Sequence, residues 1–308
     1  MKNKLALYIF ISLILLGCNT ENKKGNSYTS SEVSLVDYVN PLMGTDSKHS
    51  LSNGNTYPAI ATPWAMNFWT PMTSKMGDGW TYKYNENKIR GIKQTHQPSP
   101  WINDYAAFSL MAVTGDLKYK EDERESWFSH KAETVKPHHY KVYLADYDVT
   151  AEVTPTERAA HFKFTFPESE SSYILVDGFF KGSMVKIIPE ERKIIGYCRN
   201  NKGGVPDNFH NYFVVQFDTD FELTHTWADD WELQENSLNS EGEHVGAIIG
   251  FKTKKGTVVH AKVASSFISH EQAQLNLDRE IGADSFEETK EKAKNEWEKE
   301  LSKITVED

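Results

Sequence analysis

The sequence predicts a mostly β protein, a large antiparallel β-sandwich followed by a C-terminal helical linker. From residue 129 onward, short runs of Val, Ile, Phe and Tyr recur with polar residues between them, and Gly, Pro or Asn separates the runs. This pattern is typical of antiparallel strands. Before residue 129 the apolar runs are brief and bounded by Pro or Gly, which indicates strands joined by long loops. After residue 268 the apolar spacing becomes helical.

The individual strands follow from alternation and from turn residues. We expect strands at 139–144, 149–154, 161–166, 173–177, 186–188, 193–197, 212–217, 221–224, 247–251 and 258–263. The run 173–177 is continuously apolar, so it should be buried on both faces. Lys254-Lys255-Gly256 predicts a hairpin between the last two strands.

Two helices are expected in the tail. Ser269 with Gln272, and Ser285 with Glu288, have the spacing of capping boxes. Gly282 is a suitable stop for the first helix. The apolar stripes of the two helices are Ala273, Leu277 and Ile281, then Phe286, Ala293, Trp297, Leu301 and Ile304. Such stripes fit either packing on the sandwich or a connection to another domain, and Trp297 should be exposed if that domain is missing.

The N-terminal residues predict a lipoprotein signal peptide at 1–18. Residues 1–4 are basic, and residues 5–16 are apolar but short for a membrane span. Leu15-Leu16-Gly17-Cys18 resembles the lipobox of bacterial lipoproteins, which implies acylation of Cys18 and a lipid anchor in the cell envelope. An ordinary secretory signal is the alternative. Residues 19–34 then form a flexible tether, 35–268 the sandwich and 269–308 the helical linker.

Charge and cysteine content exclude several classes of protein. The net charge of −10 argues against nucleic acid or an anionic membrane surface as the main partner. With Cys18 acylated, Cys198 has no cysteine left to pair with, and we expect it to be a small buried residue. The sequence contains no HExxH, CxxC, P-loop, GxSxG or dinucleotide-binding motif.

The stretch 40–114 is the candidate functional region. It holds four of the eight tryptophans among Gly, Pro, Asn, Ser and Thr. Aromatic faces on such loops suit a sugar ring, which has apolar faces and polar edges. Trp80 and Trp101 directly follow turn residues, so we expect them to be solvent-accessible and to stack on a ligand. Trp64 and Trp69 lie in a more apolar segment and are expected in the core.

Catalytic residues are less evident within this stretch. Hydrolysis of a glycoside requires two facing carboxylic acids. Asp46 and Asp78 lie in turn-like sequence, and Glu86 lies among exposed polar residues. His96 and Asp104 form the best polar constellation, although a structural role for Asp104 is favoured over catalysis. We therefore assign no catalytic residue. His138-His139 would point to opposite faces of a strand and is not a convincing metal site.

Four ordered motifs in this region resemble one enzyme family. The runs 40–46, 52–59, 78–80 and 95–105 resemble the N-terminal domain of family 92 glycoside hydrolases, the calcium-dependent exo-acting α-mannosidases of bacteria. The resemblance implies a β-sandwich packed on an (α/α)6 barrel. It also implies an inverting mechanism with a Glu acid, an Asp base and a calcium ion. Those carboxylates and most of the calcium site belong to the barrel, which is missing from this sequence.

Motif by motif, the resemblance also implies substrate-binding residues. The loop of Gly54, Asn55 and Tyr57 and the indole of Trp80 would face the terminal mannose. His96, Trp101 and Asp104 would line the same rim.

The sequence departs from the family pattern at two positions. Ala65 and Ala106 stand where relatives more often have Gly, and a methyl group could disturb a backbone conformation that Gly permits.

We therefore expect the pocket-contributing, carbohydrate-binding part of an α-mannosidase that degrades mannose-containing glycans. It should be inactive without a catalytic barrel, in cis or in trans, and calcium is expected in the complete enzyme. Two alternatives are a non-catalytic glycan-binding envelope lipoprotein and a purely structural envelope sandwich.

Overall fold

The computed structural model of the chain describes residues 34–46, 56–75, 82–96 and 105–304. The predictions for the signal peptide and for almost all of the tether concern residues outside these ranges. In the described ranges no helix combines the length and the apolarity needed to cross a bilayer.

Two large antiparallel sheets confirm the predicted fold class. A seven-stranded sheet has the order β1-β3-β4-β10-β17-β14-β15. Its strands are β1 Phe68–Met72, β3 Gly91–Thr95, β4 Ser109–Thr114, β10 Ser169–Asp177, β14 Leu223–Ala228, β15 Glu232–Glu235 and β17 Gly246–Thr253. A nine-stranded sheet has the order β16-β11-β12-β13-β18-β9-β8-β7-β6. Its strands are β6 Thr134–Lys136, β7 His139–Leu144, β8 Val149–Pro155, β9 Ala159–Phe166, β11 Ser183–Ile188, β12 Lys193–Cys198, β13 Asn211–Phe217, β16 Asn239–Gly242 and β18 Thr257–Ser266.

Smaller elements join the sheets. β2 Lys88–Ile89 and β5 Ser126–Trp127 form a separate two-stranded ribbon. Short 3-10 helices span Leu35–Tyr38, His130–Ala132, Pro189–Glu191 and Asp229–Trp231. All ten predicted strands overlap an observed strand. β10 lies between β4 and β17, and its residues from Ile174 to Asp177 are buried, as the apolar run predicted.

The predicted hairpin at Lys254-Lys255-Gly256 is wrong. The turn does form, because Thr257 N–H donates to Lys254 O at 2.9 Å and Gly256 adopts φ +82°. However, β17 before it belongs to the seven-stranded sheet, whereas β18 after it belongs to the nine-stranded sheet. Each strand already has two neighbours in its own sheet, so the turn connects the two layers.

Aromatic side chains connect the two sheets in the core. The ring centroid of Trp69 lies 6.0 Å from that of Phe108 and 5.1 Å from that of Phe162, in edge-to-face geometry. Phe108 in turn stacks on Phe213, with centroids 4.3 Å apart. Trp69 and Phe108 belong to the seven-stranded side, and Phe162 and Phe213 to the nine-stranded side. All four side chains are fully buried.

Trp69 is thus a core residue as predicted, but the same prediction for Trp64 is wrong. Trp64 is 80% exposed. The chain turns just before it reaches the core, since Ala65 N–H donates to Thr62 O at 3.3 Å. Asn67 then anchors the chain, with its Nδ2 donating to Arg158 O and Ser265 Oγ at 2.9 Å each.

The first tail helix packs on the outer face of the nine-stranded sheet. α1, His270–Glu280, buries Ala273 and Leu277, together with Ile281 just beyond its end, against Ala159, Val214 and Ala264. Ser269 caps it by accepting a hydrogen bond from Gln272 N–H. A complete capping box would also have the Gln272 side chain accept from the Ser269 N–H. Instead, Gln272 Nε2 donates to Asn276 Oδ1. Gly282 ends the helix with φ +48°, as predicted.

The second helix joins the tail to the N-terminal segments. α2, Phe286–Leu301, has the complete predicted capping box of Ser285 and Glu288. Trp297 is half-buried, and its Nε1 donates to Ala61 O at 2.7 Å, so the expectation of an exposed Trp297 is wrong. The Glu298 carboxylate accepts from Ser34 Oγ and from Leu35 N–H and Val36 N–H, which caps the first 3-10 helix.

Buried polar groups complete the interior. Cys198 is fully buried, as predicted, with Sγ 3.7 Å from Asn211 O. Asp177, at the end of β10, lies 2.7 Å from Arg124 Nη1 and 2.8 Å from His244 Nε2. Burial alone would raise the pKa of Asp177, but the charges of Arg124 and His244 outweigh it and lower the pKa to about 2. The carboxylate is therefore ionised at neutral pH and ties three segments together.

The two tryptophans at 64 and 69 provide a direct stability test. Trp69→Ala empties a fully buried site between the sheets and should destabilise the chain by about 3–5 kcal/mol. Trp64→Ala removes an exposed ring from the same segment and should change stability by less than about 0.5 kcal/mol. Urea unfolding midpoints of the two variants and the wild type measure this. Similar losses for both variants would contradict the placement of Trp64.

Candidate glycan-binding site

The candidate site lies at the end of the sandwich where β3 and β18 finish. Of the seven substrate-binding residues predicted from sequence, Tyr57 and His96 fall within the described ranges. Gly54, Asn55, Trp80, Trp101 and Asp104 lie outside the described residues, so their roles remain predictions.

Tyr57 is held beneath this end of the sandwich. It is 3% exposed, and its hydroxyl lies 2.8 Å from Thr95 Oγ1 in a buried hydrogen bond. The ring centroid lies 5.7 Å from Lys93 Nζ. Lys93 and Thr95 are two residues apart on β3, so they share the face that Tyr57 covers. The structure therefore gives Tyr57 a supporting contact with the strand, and its contact with sugar stays a prediction.

His96 joins the two ends of the segment 97–104. Its Nδ1 lies 2.9 Å from Tyr105 O, and its ring stacks on Tyr105 with centroids 4.8 Å apart. A carbonyl oxygen can only accept, so Nδ1 donates in this hydrogen bond. Gln94 Nε2 lies 3.3 Å from His96 Nε2.

Two phenylalanines extend this arrangement. Phe267, just after β18, lies 5.2 Å from the His96 ring, and Phe209 stacks on Phe267 at 5.5 Å. We call His96, Tyr105, Phe267 and Phe209 the aromatic wall. Phe267 is 36% exposed, so the wall reaches the surface. The two phenylalanines were not predicted, because neither lies in the tryptophan-rich stretch and no local motif marks them.

Ala106 fixes the base of the wall in a strained conformation. It is fully buried with φ +52°, a left-handed backbone that favours Gly. Its N–H donates to Asn200 O at 2.6 Å, and its carbonyl accepts from Asn211 Nδ2 at 2.8 Å. Ala65, the other departure from the family pattern, does not have a positive φ. Of the two positions, only Ala106 therefore has a backbone conformation in which its methyl group is unfavourable.

The side chains brought together here are aromatic and imidazole rings, hydroxyl groups and one ammonium group. The aromatic wall, Tyr57, Lys93 and Thr95 include no carboxylate. Elsewhere in the region, Asp46 accepts from Asn85 Nδ2, and Glu86 is exposed as predicted. The described ranges contain no group of three His, Cys, Asp or Glu side chains placed to hold a metal ion.

Comparison with protein families identifies the class. The family model described as the glycosyl hydrolase family 92 N-terminal domain matches residues 38–266. The model of the family 92 catalytic domain matches residues 272–308, which include α1 from its third residue and all of α2. The chain therefore belongs to glycosyl hydrolase family 92. A search of curated proteins finds no match.

Solved structures agree with this assignment. The chain is similar to the inverting mannosidase BT2199 of Bacteroides thetaiotaomicron, with 42% identity and a TM-score of 0.87 over 90% of this chain and 37% of that one. It is also similar to the α-mannosidase BT3965 of the same organism, solved with mannoimidazole, with 31% identity and a TM-score of 0.77 over 89% and 38% of the two chains. The chain thus spans less than two fifths of the length of these relatives.

Ala106 and Ala65 should respond in opposite ways to Gly. Ala106→Gly relieves a left-handed backbone that costs about 1–2 kcal/mol, partly offset by the added freedom of the unfolded chain, and should stabilise the protein by up to about 1 kcal/mol. Ala65→Gly relieves nothing and should destabilise it by about 0.4–1 kcal/mol. Paired urea melts measure both changes. A loss of stability in Ala106→Gly as large as that in Ala65→Gly would contradict the strain at Ala106.

Proposed function

We propose that this chain is the N-terminal part of an exo-acting, inverting α-mannosidase that degrades mannose-containing glycans. It would contribute loops to the pocket for the terminal mannose. The observation that carries the proposal is the family 92 match over residues 38–266, continued by the start of a catalytic domain at 272–308. The aromatic wall supports it, because aromatic faces beside polar groups suit a sugar ring.

A catalytic domain would supply the chemistry. The predicted Glu acid, Asp base and calcium ion would come from that domain, in the same or another polypeptide. The sandwich would bind and orient the sugar without taking part in proton transfer.

An apolar surface near the end of α2 supports a partner domain there. Trp64 and Ile304 are 80% and 82% exposed, and the Trp64 side chain hydrogen-bonds to Glu300 in the last turn of α2. Tyr38, 74% exposed, belongs to the 3-10 helix that Glu298 caps. Large exposed apolar groups that lie together normally mark an interaction surface. The remainder of a catalytic domain is the occupant that fits, because the catalytic-domain match includes α2.

The localisation belongs to the same proposal. Residues 1–18 have the pattern of a lipoprotein signal peptide, so the protein would be anchored in the bacterial cell envelope through acylated Cys18. The alternative of a non-catalytic glycan-binding lipoprotein is not favoured, because the matching solved structures are mannosidases.

Activity should depend on a catalytic domain. The purified chain should not hydrolyse aryl α-mannosides, with or without calcium. Joined after residue 308 to the corresponding remainder of BT2199, it should hydrolyse them. The same remainder without this chain is the control. Turnover by the chain alone that disappears in Asp104→Asn would contradict the proposal and place the chemistry in the sandwich segment.

Anchoring should depend on one cysteine. Cys18→Ala removes the thiol that would be acylated, so the protein should move from the membrane fraction to the soluble fraction and lose lipid label. Cys198→Ala is the matched control and should leave fractionation unchanged, because Cys198 is buried. If the Cys18→Ala protein still sediments with membranes and the wild type takes up no lipid label, the anchor is elsewhere.

A further inference from the structure

A polar cleft lies beside the two-stranded ribbon, away from the aromatic wall. Lys88 of β2 pairs in register with Trp127 of β5. Because side chains alternate along a strand, Arg90, two residues after Lys88, and Glu125, two residues before Trp127, point to the same side as Lys88 and Trp127. A cleft of about 480 Å³ lies between this side of the ribbon and residues 73–75, which follow β1.

The walls of the cleft are fixed by charge-assisted hydrogen bonds. Glu125 accepts from Lys88 Nζ with Oε1 and from Arg90 Nη2, at 2.6 Å, with Oε2. Arg90 Nη1 donates to Thr73 O at 2.9 Å, which joins the two sides of the cleft. Arg90 Nε is buried and has no hydrogen-bond partner among the described residues. The polar groups are therefore held in place before any ligand arrives, which reduces the entropic cost of binding.

Trp127 provides an aromatic surface at the edge of the cleft. Its side chain is 49% exposed, and Lys88 Nζ lies 5.3 Å from the ring centroid. The backbone on both sides of the ring is fixed, because Trp127 N–H donates to Asp146 Oδ2 at 2.7 Å and Trp127 O accepts from Ala145 N–H at 2.9 Å. The backbone that carries the exposed indole is thus fixed, and the ring lies next to Lys88, which lines the cleft.

The chemistry of the lining selects one class of ligand. The lining consists of hydroxyl, amide, carboxylate and cationic groups, so an apolar ligand would leave them unsatisfied. Lys75 pairs with Asp122 at 2.6 Å, Lys88 and Arg90 share Glu125, and Glu86 is a further carboxylate of the lining. Three cations thus face three carboxylates, so a phosphate or nucleic acid is disfavoured. A neutral pyranose fits, because its hydroxyls both donate and accept while its C–H face covers an indole.

We propose that this cleft, with Trp127 as its stacking surface, binds a neutral hexopyranose unit of a glycan, separate from the terminal mannose. The identity of the sugar as part of a mannose-containing glycan rests on the proposed function, whereas the existence of the site does not. A glycan that fills this cleft as well as the pocket for the terminal mannose would be favoured over single mannosides.

The test uses the full chain and linear α-linked mannotriose, followed by saturation-transfer NMR and calorimetry. Wild type should bind the trisaccharide. Trp127→Ala and Glu125→Gln, which keeps the shape of the side chain, should each weaken binding about tenfold or more, equivalent to about 1.4 kcal/mol. Trp64→Ala is the matched control, since it removes another exposed indole, and should bind like wild type. Thermal melts confirm that each variant is folded.

The outcomes separate this proposal from the proposed function. Equal affinity in wild type, Trp127→Ala and Glu125→Gln, or no binding by wild type, overturns the cleft. If mannotriose binds through Trp127 but the chain joined to the BT2199 remainder hydrolyses no α-mannoside, the cleft stands and the proposed function fails. If that joined enzyme is active and Trp127→Ala leaves its KM for mannotriose unchanged, the cleft is overturned and the proposed function stands.

Discussion

The contact of Trp69 and Phe108 with Phe162 and Phe213 fixes the two sheets relative to each other. Edge-to-face and stacked rings tolerate little sliding, because each ring fills a space shaped by the next. Phe108 also belongs to the segment that carries the site, since Gln94 N–H donates to its carbonyl at 2.9 Å. The core therefore fixes the position of the aromatic wall, because the wall lies at the ends of β3 and β18, which belong to opposite sheets.

Buried asparagine side chains extend that rigidity into the connections. Asn67 and Asn211 donate to main-chain carbonyls, and Asn200 Oδ1 accepts from Ala107 N–H at 2.8 Å. A buried main-chain group without a partner costs about as much as a lost hydrogen bond. These amides replace the missing sheet partners where the chain leaves the strands. The connections can thus be irregular and still hold one conformation, which a sugar-binding surface requires.

The regular part of this fold could be predicted from sequence because burial on one face of a strand imposes alternation. The strands from 139 onward and both helix starts follow from such local patterns. Other features depend on contacts between distant segments. The Lys254-Gly256 turn has the same local chemistry whether its strands pair or separate into two sheets. Likewise, Trp64 lies within the turn from Thr62 to Ala65, whereas Trp69 lies on a strand after it. Phe267 meets His96, and Phe209 meets Phe267, only through the fold.

The tail helices join the sandwich to the part of the chain that matches the family 92 catalytic domain. α1 is seated on the nine-stranded sheet by Leu277 and its neighbours, and α2 is tied to the sandwich by Trp297 and to the first 3-10 helix by Glu298. These contacts act on opposite sides of the connection at Gly282. The end of α2 is consequently fixed relative to the aromatic wall. A catalytic domain that continues from α2 would be held at a set distance from the aromatic wall, and we propose that this control of position is what the sandwich would contribute to catalysis.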